Sequence, residues 1–529
     1  MKIKTMHRSL EQHLPSTSTS SAPVSRNLDP TLHPFARSRE YKRAVTASKL
    51  DRMFSKPFIA SLEGHQDGIY SMNKDDFGSL SRIVTGSGDG EIRVWDLSRQ
   101  ETVWSSGESS HERGGIVKGV CFSQPMRGES DRVEKKPAQQ SIDGKTREKN
   151  LKRKRVEVGY KGKGRAGFDD ELDELDDEEY KEQVGKLDQM ESKGSNRVLS
   201  CSTDKTVKLW DINGNSGKGA TPLQTYNGKS GFNSISHHRY DPIFAAASHS
   251  IEIFDETKTS PISTLKFHST STSSIGEHIV SVAFNKSETN VLASSGSDRT
   301  VVLYDLRSGK ALGRVAMQMR INQLSFNPLQ PPILLCASED HNLYTFDMRN
   351  LSTTTQVYKG HVGAVMSTDW SPNGREFVSG SYDRTVRLWK SGEGSSRDVY
   401  HTKRMQRVFS SCYTLDTRFV LSGSDDGNLR IWKSRAGDKL GVVDKKEQVV
   451  REYRDELRNK WGQVAEVNKI ERQRYLPKPI HQATKLRREM LDAANNKEEN
   501  RRKHAPKGID PEQLKPKAQR KLAIQKVES

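Results

Sequence analysis

Three residues whose types can do chemistry stand within a short stretch of chain: His361, Ser379 and Asp383. A His, a Ser and an Asp form the set with which many hydrolases activate a nucleophile. The Asp, however, recurs six residues before an aromatic residue in six places: Asp89, Asp204, Asp298, Asp340, Asp383 and Asp426. A catalytic role would therefore require a similar active site in several copies of one repeat. The recurrence predicts a structural role instead, and we expect no enzyme activity.

Motifs that bind nucleotides or metals do not occur in the sequence at usable spacing, whether P-loop, zinc-hydrolase or dinucleotide patterns. The Gly-rich run GKGRAG lacks the strand and helix that phosphate binding requires. The cysteines are widely scattered and include no Cys-x-x-Cys pair, so we expect isolated core thiols and no disulfide or zinc site. They are Cys121, Cys201, Cys336 and Cys412. We therefore expect no cofactor.

The phrase GSYDRTVRLW, residues 380–389, has close variants in GSGDGEIRVW, CSTDKTVKLW and GSDDGNLRIW. The residue after each closing aromatic is Asp96, Asp211, Asp255, Asp305, Asp347, Lys390 or Lys433. The intervals are 115, 44, 50, 42, 43 and 43 residues. This period, with Gly-His near the start and Trp-Asp at the end, resembles the WD repeat. Seven copies predict an all-β fold, a seven-bladed β-propeller of small antiparallel sheets.

The WD-repeat resemblance implies a buried hydrogen-bonded set of a His, a strand Ser or Thr, the turn Asp and the Trp. In this chain the best-preserved set is His361, Ser379, Asp383 and Trp389. We expect these groups to be paired, because an unpaired buried Asp is costly. The segment PFIASLEGH, residues 57–65, alternates like a strand and should supply the outer strand of the seventh blade. The third copy, AAASHSIEIFD, lacks the turn Asp and matches least well.

The longest interval contains an insert of 70 residues, 126–195, between two strands of the second copy. The insert is rich in Lys, Glu, Asp and Gly and nearly without aromatic residues, so we expect a disordered surface loop. It contains the acidic run DDELDELDDEEYKE, residues 169–182. Its basic run KNLKRKR is typical of a nuclear-localisation signal or a nucleic-acid contact, with a solvated charged surface as the alternative. The localisation candidates are Lys152, Arg153, Lys154 and Arg155.

The net charge of +18 is concentrated at the two ends of the chain. Residues 1–57 carry 11 Lys and Arg against 4 Asp and Glu, and residues 445–529 carry 23 against 13. The other residues carry 52 against 51, so basic ends flank a neutral middle and favour a polyanionic partner. No apolar run approaches the roughly 18 residues that span a bilayer, and the N-terminus lacks a signal-peptide pattern. We expect a soluble intracellular protein without a membrane partner.

The pattern changes to helical spacing after the last repeat. The apolar residues with this spacing are Val450, Tyr453, Leu457, Trp461, Val464 and Val467. A second, strongly basic helix is predicted over residues 481–504. We expect the apolar stripe to pack on the protein's own body, with a solvated helix as the alternative. The predicted domains are a basic N-terminal extension (1–56), the propeller (57–443) and a basic helical C-terminal domain (444–529).

Blocks on both sides of the repeats resemble the Sof (suppressor of fibrillarin) family of nucleolar WD-repeat proteins. Before the repeats, the matching residues are Asn27-Leu28-Asp29-Pro30, His33-Pro34-Phe35, Arg39-Glu40-Tyr41, Lys49-Leu50 and Lys56-Pro57-Phe58. After the repeats, they lie in RQRYLPKPI and KEENRRKH and are Arg472, Arg474, Leu476, Pro477, Lys478, Ile480 and the residues 498–504. The insert at 126–195 departs from the family pattern.

The resemblance implies a non-catalytic scaffold of the small-subunit processome that associates with its proteins and with the U3 small nucleolar ribonucleoprotein. Members are required for the pre-rRNA cleavages that yield 18S rRNA and the 40S subunit. The resemblance therefore implies that the protein is located in the nucleus, within the nucleolus. The basic tails would contact pre-rRNA phosphates without sequence preference and in a salt-sensitive way. The candidate RNA contacts, each with plain solvated surface as the alternative, are Arg472, Arg474, Lys478, Arg487, Arg488, Arg501, Arg502 and Lys503.

A second function is left open by two aromatic-Asp-x-Arg boxes at the ends of adjacent repeats, LYDLR and TFDMR. Some WD proteins that resemble this family use such a box to dock to the adaptor of a cullin-RING ubiquitin ligase as substrate receptors. The candidate docking residues are Asp305, Arg307, Asp347 and Arg349. The alternative is that they form salt bridges at the propeller rim. The two functions can coexist in one protein.

Overall fold

The computed structural model describes residues 5–7, 32–76, 79–107, 110–111, 115–123, 196–268, 278–504 and 523–528. The predicted insert at 126–195, with its localisation candidates at 152–155, lies outside the described residues. So does the first of the N-terminal blocks that resemble the Sof family, residues 27–30.

Within the described residues, seven antiparallel sheets form the propeller, and each blade is built mainly from consecutive strands. Blades 1 and 2 contain β2 (Ile69–Lys74), β3 (Arg82–Ser87), β4 (Ile92–Asp96), β5 (Glu101–Ser105), β6 (Val117–Phe122), β7 (Arg197–Ser202), β8 (Thr206–Asp211) and β9 (Gln224–Asn227). Blades 3 and 4 contain β10 (Ser234–His237), β11 (Ile243–Ala247), β12 (Ile251–Asp255), β13 (Ser263–Leu265), β14 (Ile279–Phe284), β15 (Val291–Gly296), β16 (Thr300–Asp305) and β17 (Lys310–Met317).

Blades 5 to 7 complete the ring and confirm the predicted seven-bladed fold. They contain β18 (Ile321–Phe326), β19 (Ile333–Ser338), β20 (Asn342–Asp347), β21 (Asn350–Lys359), β22 (Val365–Trp370), β23 (Glu376–Ser381), β24 (Val386–Lys390), β25 (Asp398–Tyr400), β26 (Val408–Tyr413), β27 (Phe419–Ser424) and β28 (Leu429–Lys433).

The ring closes through a strand from the start of the propeller. This strand, β1 (Phe58–Leu62), pairs antiparallel with β28 and places Leu62 opposite Leu429. The first strands of successive blades are neighbours around the central channel, and β26 of blade 7 lies beside β2 of blade 1. The predicted closure by PFIASLEGH is confirmed. Because β1 covers the outer edge of β28, opening the ring requires breaking a sheet.

The apolar core lies between neighbouring blades. The cluster between blades 7 and 1, for example, includes Leu62, Ile69, Trp95 and Leu421. Each sheet is therefore covered on both faces, and its middle strands are mostly buried, as in FVLSGS of β27, where every residue after Phe419 is buried. The same covering buries Arg387, which alternates with two apolar residues in β24 and is only 5% exposed. Burial lowers the pKa of Arg387 to about 10.

Blade 3, the weakest repeat in the sequence, forms a complete four-stranded sheet. Phe254 stands in the place of the Trp and packs on Phe244 of the same blade, with 5.3 Å between ring centroids. The ring centroid of Phe244 also lies 5.0 Å from that of Tyr226 in blade 2. The buried carboxylate of Glu256 lies 2.8 Å from His237 Nε2 and accepts a hydrogen bond from Ser123 at 2.5 Å. Aromatic packing and this polar cluster stabilise the blade without the turn Asp.

In the described residues, four α-helices lie outside the ring: α1 (Ala36–Met53), α2 (Lys445–Trp461), α3 (Ala465–Glu471) and α4 (Lys478–Lys503). The apolar stripe predicted as one helix is divided into α2 and α3, because Val464 has an extended backbone. None of the helices in the described part of the chain is both long and apolar enough to cross a membrane.

The predicted helical tail differs from the structure at its far end. The last described strand, β29 (Ile524–Glu528), pairs antiparallel with β17 and makes blade 4 five-stranded. Met317 stands opposite Ile524, and Arg314 stands opposite Glu528. The C-terminal region predicted as helical from residue 444 onward is therefore helical as far as Lys503 and returns to the propeller as a strand. The strand covers the open edge of β17, as edge strands in native sheets commonly require.

Candidate RNA and partner interface

The four residues predicted as the WD-repeat set are in contact in blade 6. The Asp383 carboxylate lies 2.9 Å from His361 Nδ1, and Ser379 Oγ lies 2.7 Å from His361 Nε2. Trp389 donates from Nε1 to Ser379 Oγ at 2.8 Å. If Nδ1 carries the proton of a neutral imidazole, every group has its partner: Nδ1–H donates to the carboxylate, and Nε2 accepts from the Ser hydroxyl.

The electrostatics of this set favour that arrangement. Burial would raise the pKa of Asp383, but the hydrogen bond from His361, the nearby charge of Arg387 and the hydrogen bond from Thr385 hold it well below its ordinary range. Burial lowers the pKa of His361, which keeps the imidazole neutral. The Ser379 hydroxyl is fully buried between two ring nitrogens, so it has no access to a substrate. The geometry describes a structural network at the blade edge and gives the Ser no role as a nucleophile.

Similar networks occur in blades 1, 2 and 4. The sequence patterns did not identify two of their histidines, His111 and His268. In blade 2, His111 lies 2.8 Å from Asp204 and 3.0 Å from Ser200, to which Trp210 donates. In blade 4, His268 contacts Ser294. Neither histidine follows a Gly, and the insert separates His111 from its partner Asp by 93 positions. The Gly-His signal alone could therefore not identify them.

The network of blade 1 also contains the one group, among the described residues, with the composition of a metal site: His65, Asp89 and Glu91. His65 Nδ1 lies 3.9 Å from both carboxylates, and burial lowers the pKa of His65 to about 4. Arg93 Nε lies 2.9 Å from Glu91, and this guanidinium charge disfavours a second cation at the same carboxylate. The cluster thus resembles the structural networks of the other blades more than a metal centre. All four cysteines are buried and unpaired, as isolated core thiols are.

The N-terminal extension and the C-terminal tail pack on each other beside the propeller. Glu40 of α1 is 1% exposed and accepts hydrogen bonds from Lys460 Nζ at 2.5 Å and Trp461 Nε1 at 3.2 Å of α2. Tyr41 packs on Trp461, with 5.4 Å between ring centroids. Arg52, in the last turn of α1, forms a 2.7 Å ion pair with Asp398 of blade 6. The predicted apolar stripe of the tail therefore packs on the protein's own body.

The two faces of the propeller can be told apart by their turns. In each antiparallel blade, the turn between the second and third strands and the connection to the next blade lie on one face, here called the turn-Asp face. Arg487 of α4 donates to the carbonyl of His361 at 2.8 Å and to that of Asp340 at 3.2 Å. His361 belongs to the connection between β21 and β22, and Asp340 to the turn between β19 and β20. The helix α4 is therefore attached to the turn-Asp face at blades 5 and 6.

The two aromatic-Asp-x-Arg boxes lie on the opposite face, in the turns that follow β16 and β20. Asp305 accepts a hydrogen bond from the backbone N–H of Arg307 at 3.0 Å, and Asp347 accepts one from the N–H of Arg349 at 3.0 Å. The two carboxylates thus stabilise their own turns, whereas both Arg side chains are exposed. The described part of the tail contacts the turn-Asp face through Arg487, blade 6 next to β25 through Arg474, and the edge of β17, and it leaves Arg307 and Arg349 exposed.

Comparisons with known proteins agree with this architecture. The family model described as the Sof1-like domain matches residues 434–521, and the WD domain, G-beta repeat model matches residues 56–96, 352–390 and 399–433. The N-terminal domain model of nucleolar protein 10-like proteins matches residues 189–340. Protein SOF1 of Saccharomyces cerevisiae is 36% identical over 516 residues, which cover 95% of this chain and 91% of the yeast protein.

The chain belongs to the Sof1 family. This is a ribosome-biogenesis family of WD-repeat proteins. Its vertebrate relatives include proteins named DDB1- and CUL4-associated factor 13: the Danio rerio and Homo sapiens proteins are each 35% identical to this chain over 512 residues, covering 97% of both chains. The Sof1-like match encloses α2, α3 and α4, so the family-specific part of the chain is the tail that packs beside the propeller.

Within the Sof1-like domain, the eight predicted RNA contacts fall into two groups. Two are engaged by the propeller: Arg487, as described, and the half-buried Arg474, whose Nε donates to the carbonyl of Arg397 at 3.3 Å. The other six lie along the tail, where Arg502 and Lys503 also form ion pairs with glutamates one turn earlier in α4, at 3.3 and 3.0 Å. The exposed members are Arg472, Lys478, Arg488, Arg501 and Lys503.

Proposed function

We propose that this chain is a non-catalytic scaffold of the small-subunit processome in the nucleolus. It associates there with the U3 small nucleolar ribonucleoprotein and supports pre-rRNA processing to 18S rRNA and the 40S subunit. The observation that carries this proposal is the attachment of α4 to the turn-Asp face by Arg487, which holds a row of basic side chains at a fixed position beside the ring. The relationship to Protein SOF1 supports the same role.

The exposed cations of the tail act through phosphate neutralisation, which makes RNA binding dependent on salt. Each phosphate contact on single-stranded RNA contributes about 0.7 to the slope of log affinity against log salt concentration. We expect the triple variant Lys478→Gln, Arg488→Gln, Arg501→Gln to lower that slope by about 2 on a pre-rRNA fragment. A matched variant with Gln at three exposed lysines of the propeller should retain the slope; these lysines are Lys258, Lys310 and Lys359.

The same pair of variants tests the assembly role in cells. Gradient sedimentation should show the tail variant released from large pre-ribosomal complexes, while the propeller variant remains associated. Equal co-sedimentation of the two variants would reject the tail as the RNA anchor. Loss of nuclear signal on replacing the basic run at 152–155 by alanines would support its role in localisation.

A second candidate function is supported by the position of the aromatic-Asp-x-Arg boxes. Arg307 and Arg349 are exposed in corresponding turns of adjacent blades, on the face opposite α4. A ligase adaptor bound there would leave the basic helix accessible. The name of the vertebrate relatives, DDB1- and CUL4-associated factor 13, supports this second function. Affinity purification of the Arg307→Ala, Arg349→Ala variant should lose the adaptor and cullin while retaining small nucleolar proteins. Unchanged recovery of the adaptor would remove the support for this function.

A further inference from the structure

A groove runs between α1 and α2 and is lined by residues of these two helices. Its cavity has a volume of about 460 Å³. Leu50 of α1 and Leu457 of α2 lie at its floor, and four cationic side chains surround it: Arg39, Lys42, Arg43 and Arg454. The residues that α1 contributes, from Arg39 to Leu50, recur every three or four positions and therefore form one stripe along the helix.

The cations of the groove differ from the other cations of the same two helices. Arg52 is paired with Asp398, Arg458 with Asp51 and Lys460 with Glu40, at 2.5–2.7 Å. By contrast, none of the four groove cations has a carboxylate at ion-pair distance in the described part of the chain. Arg43 makes a neutral contact at 3.4 Å with the hydroxyl of Tyr453. The groove thus combines four positive charges, none paired with an acid in the described part of the chain, with an apolar floor at which Leu50 is partly exposed and Leu457 is buried.

This combination discriminates between two kinds of polyanion. The phosphates of an RNA would be neutralised by the rim, but they gain nothing from leucine side chains. An amphipathic helix of a protein uses both parts, because its apolar residues bury the floor while its carboxylates pair with the rim. The stripe from Arg39 to Leu50 extends about 16 Å along α1, which corresponds to about three turns of a docked helix. The groove therefore fits a short acidic helix.

We propose that the groove between α1 and α2 binds an acidic, amphipathic helix of a protein partner. The charges of the two surfaces are complementary, and the partner's leucine-type residues cover Leu50, which the protein itself leaves partly exposed. This surface is separate from the basic residues of α4, so the proposal does not depend on the RNA contacts proposed above. It assigns a protein-binding role to the N-terminal extension, whose positive charge would otherwise be assigned to RNA.

The test uses the full-length chain and a fluorescein-labelled peptide of about four helical turns, with leucines on one face and glutamates on the other. We expect saturable binding by fluorescence anisotropy. The variant Arg39→Gln, Lys42→Gln, Arg454→Gln should weaken it at least about tenfold, since three ion pairs around a partly buried contact are lost. The variant Leu50→Asn should weaken it through the floor alone. The α4 variant Lys478→Gln, Arg488→Gln, Arg501→Gln is the matched control and should bind normally.

Three results would overturn the proposal. Equal affinity for a peptide of the same composition in scrambled order would mean that charge alone attracts it. Loss of affinity for a short single-stranded RNA in the groove variant, without loss for the peptide, would assign the groove to RNA. Tighter peptide binding after deletion of residues 169–182 would assign it to the chain's own acidic run. Circular dichroism and thermal unfolding of each variant establish that the helices remain folded.

Discussion

Replacing Glu40 with alanine is expected to loosen the C-terminal tail from the N-terminal extension without disturbing the propeller. Glu40 is 1% exposed, and its carboxylate accepts from Lys460 and Trp461 of α2. The substitution leaves two donors facing a small apolar side chain. The ion pair of Arg52 with blade 6 and the ion pair of Arg458 with α1 remain. The helices should therefore detach more often but still form.

The magnitude follows from burial. Removing one partner of a buried ion pair costs about 3–5 kcal/mol, because the other charge is left unpaired. The Lys460 side chain keeps 30% of its surface exposed. Water can therefore solvate its ammonium group again, which reduces the expected loss to about 2–3 kcal/mol in the free energy of local opening. By the relation between free energy and equilibrium, this raises the open population about 30- to 150-fold.

Hydrogen exchange of the native protein measures this opening directly. Amide protection in α2 should fall by that factor in Glu40→Ala, whereas amides of the middle strands of the propeller should keep theirs. Glu452 is a matched control, since it lies on α2, is exposed and, among the described residues, accepts a hydrogen bond only from Gln448, at 3.1 Å. Its alanine variant should exchange like the unmodified protein. If Glu40→Ala left α2 as protected as before, the carboxylate would not be the contact that holds the tail.

Three further predictions concern the networks and the tail. Ser379→Ala removes the hydroxyl between two buried ring nitrogens and should lower the free energy of unfolding, measured in urea, by about 2–4 kcal/mol. Ser379→Thr keeps the hydroxyl and should lower it much less. Equal losses in the two variants would contradict the network. Burial lowers the pKa of His65 to about 4 in the native state, whereas the pKa of an unfolded His is about 6.5. As the pH falls below about 6.5, His65 is therefore protonated in the unfolded state before it is protonated in the native state. The free energy of unfolding should therefore decrease as the pH falls from about 6.5 to 4, and His65 should account for up to about 3 kcal/mol of that decrease. The decrease should be smaller in His65→Gln. The same pH dependence in both proteins would disprove the assignment. Arg487→Ala removes two hydrogen bonds from a charged donor to the propeller, so the first turns of α4 should exchange at least about tenfold faster, whereas Arg488→Ala should have no effect.

The ring could be predicted from the sequence because its signals are local and repeated. The turn Asp and the closing aromatic recur with a constant spacing, and the alternation in β1 gave its place as the closing strand. The histidines His111 and His268 could not be identified in this way. They lack the preceding Gly, and their partners depend on how the connections between blades fold back, which no local pattern reports.

The sequence did not predict the contacts between distant parts of the chain. β29 has few residues and pairs with a strand about two hundred positions earlier, so its sequence alone gives no partner. Glu40 was part of a family block, yet nothing in its neighbourhood indicated burial, because a Glu in a polar helix is ordinarily exposed. Arg487 was predicted as an RNA contact like its neighbour Arg488, and only the position of α4 separates the one that binds the propeller from the one that faces solvent.

Described segments on both sides of the repeats, β1 and β29, are part of propeller sheets, and this determines how the functions of the chain can be separated. The start of the chain supplies α1 and β1, and the end supplies β29 to blade 4. Removing residues 445–529 would therefore expose α1 and uncover β17, so a loss of binding after truncation could reflect a damaged propeller. Substitution of single charges avoids this problem. Because α4 occupies the turn-Asp face while Arg307 and Arg349 project from the other face, RNA and a ligase adaptor would not compete for the same surface. The two sets of substitutions should thus produce independent defects if both functions exist.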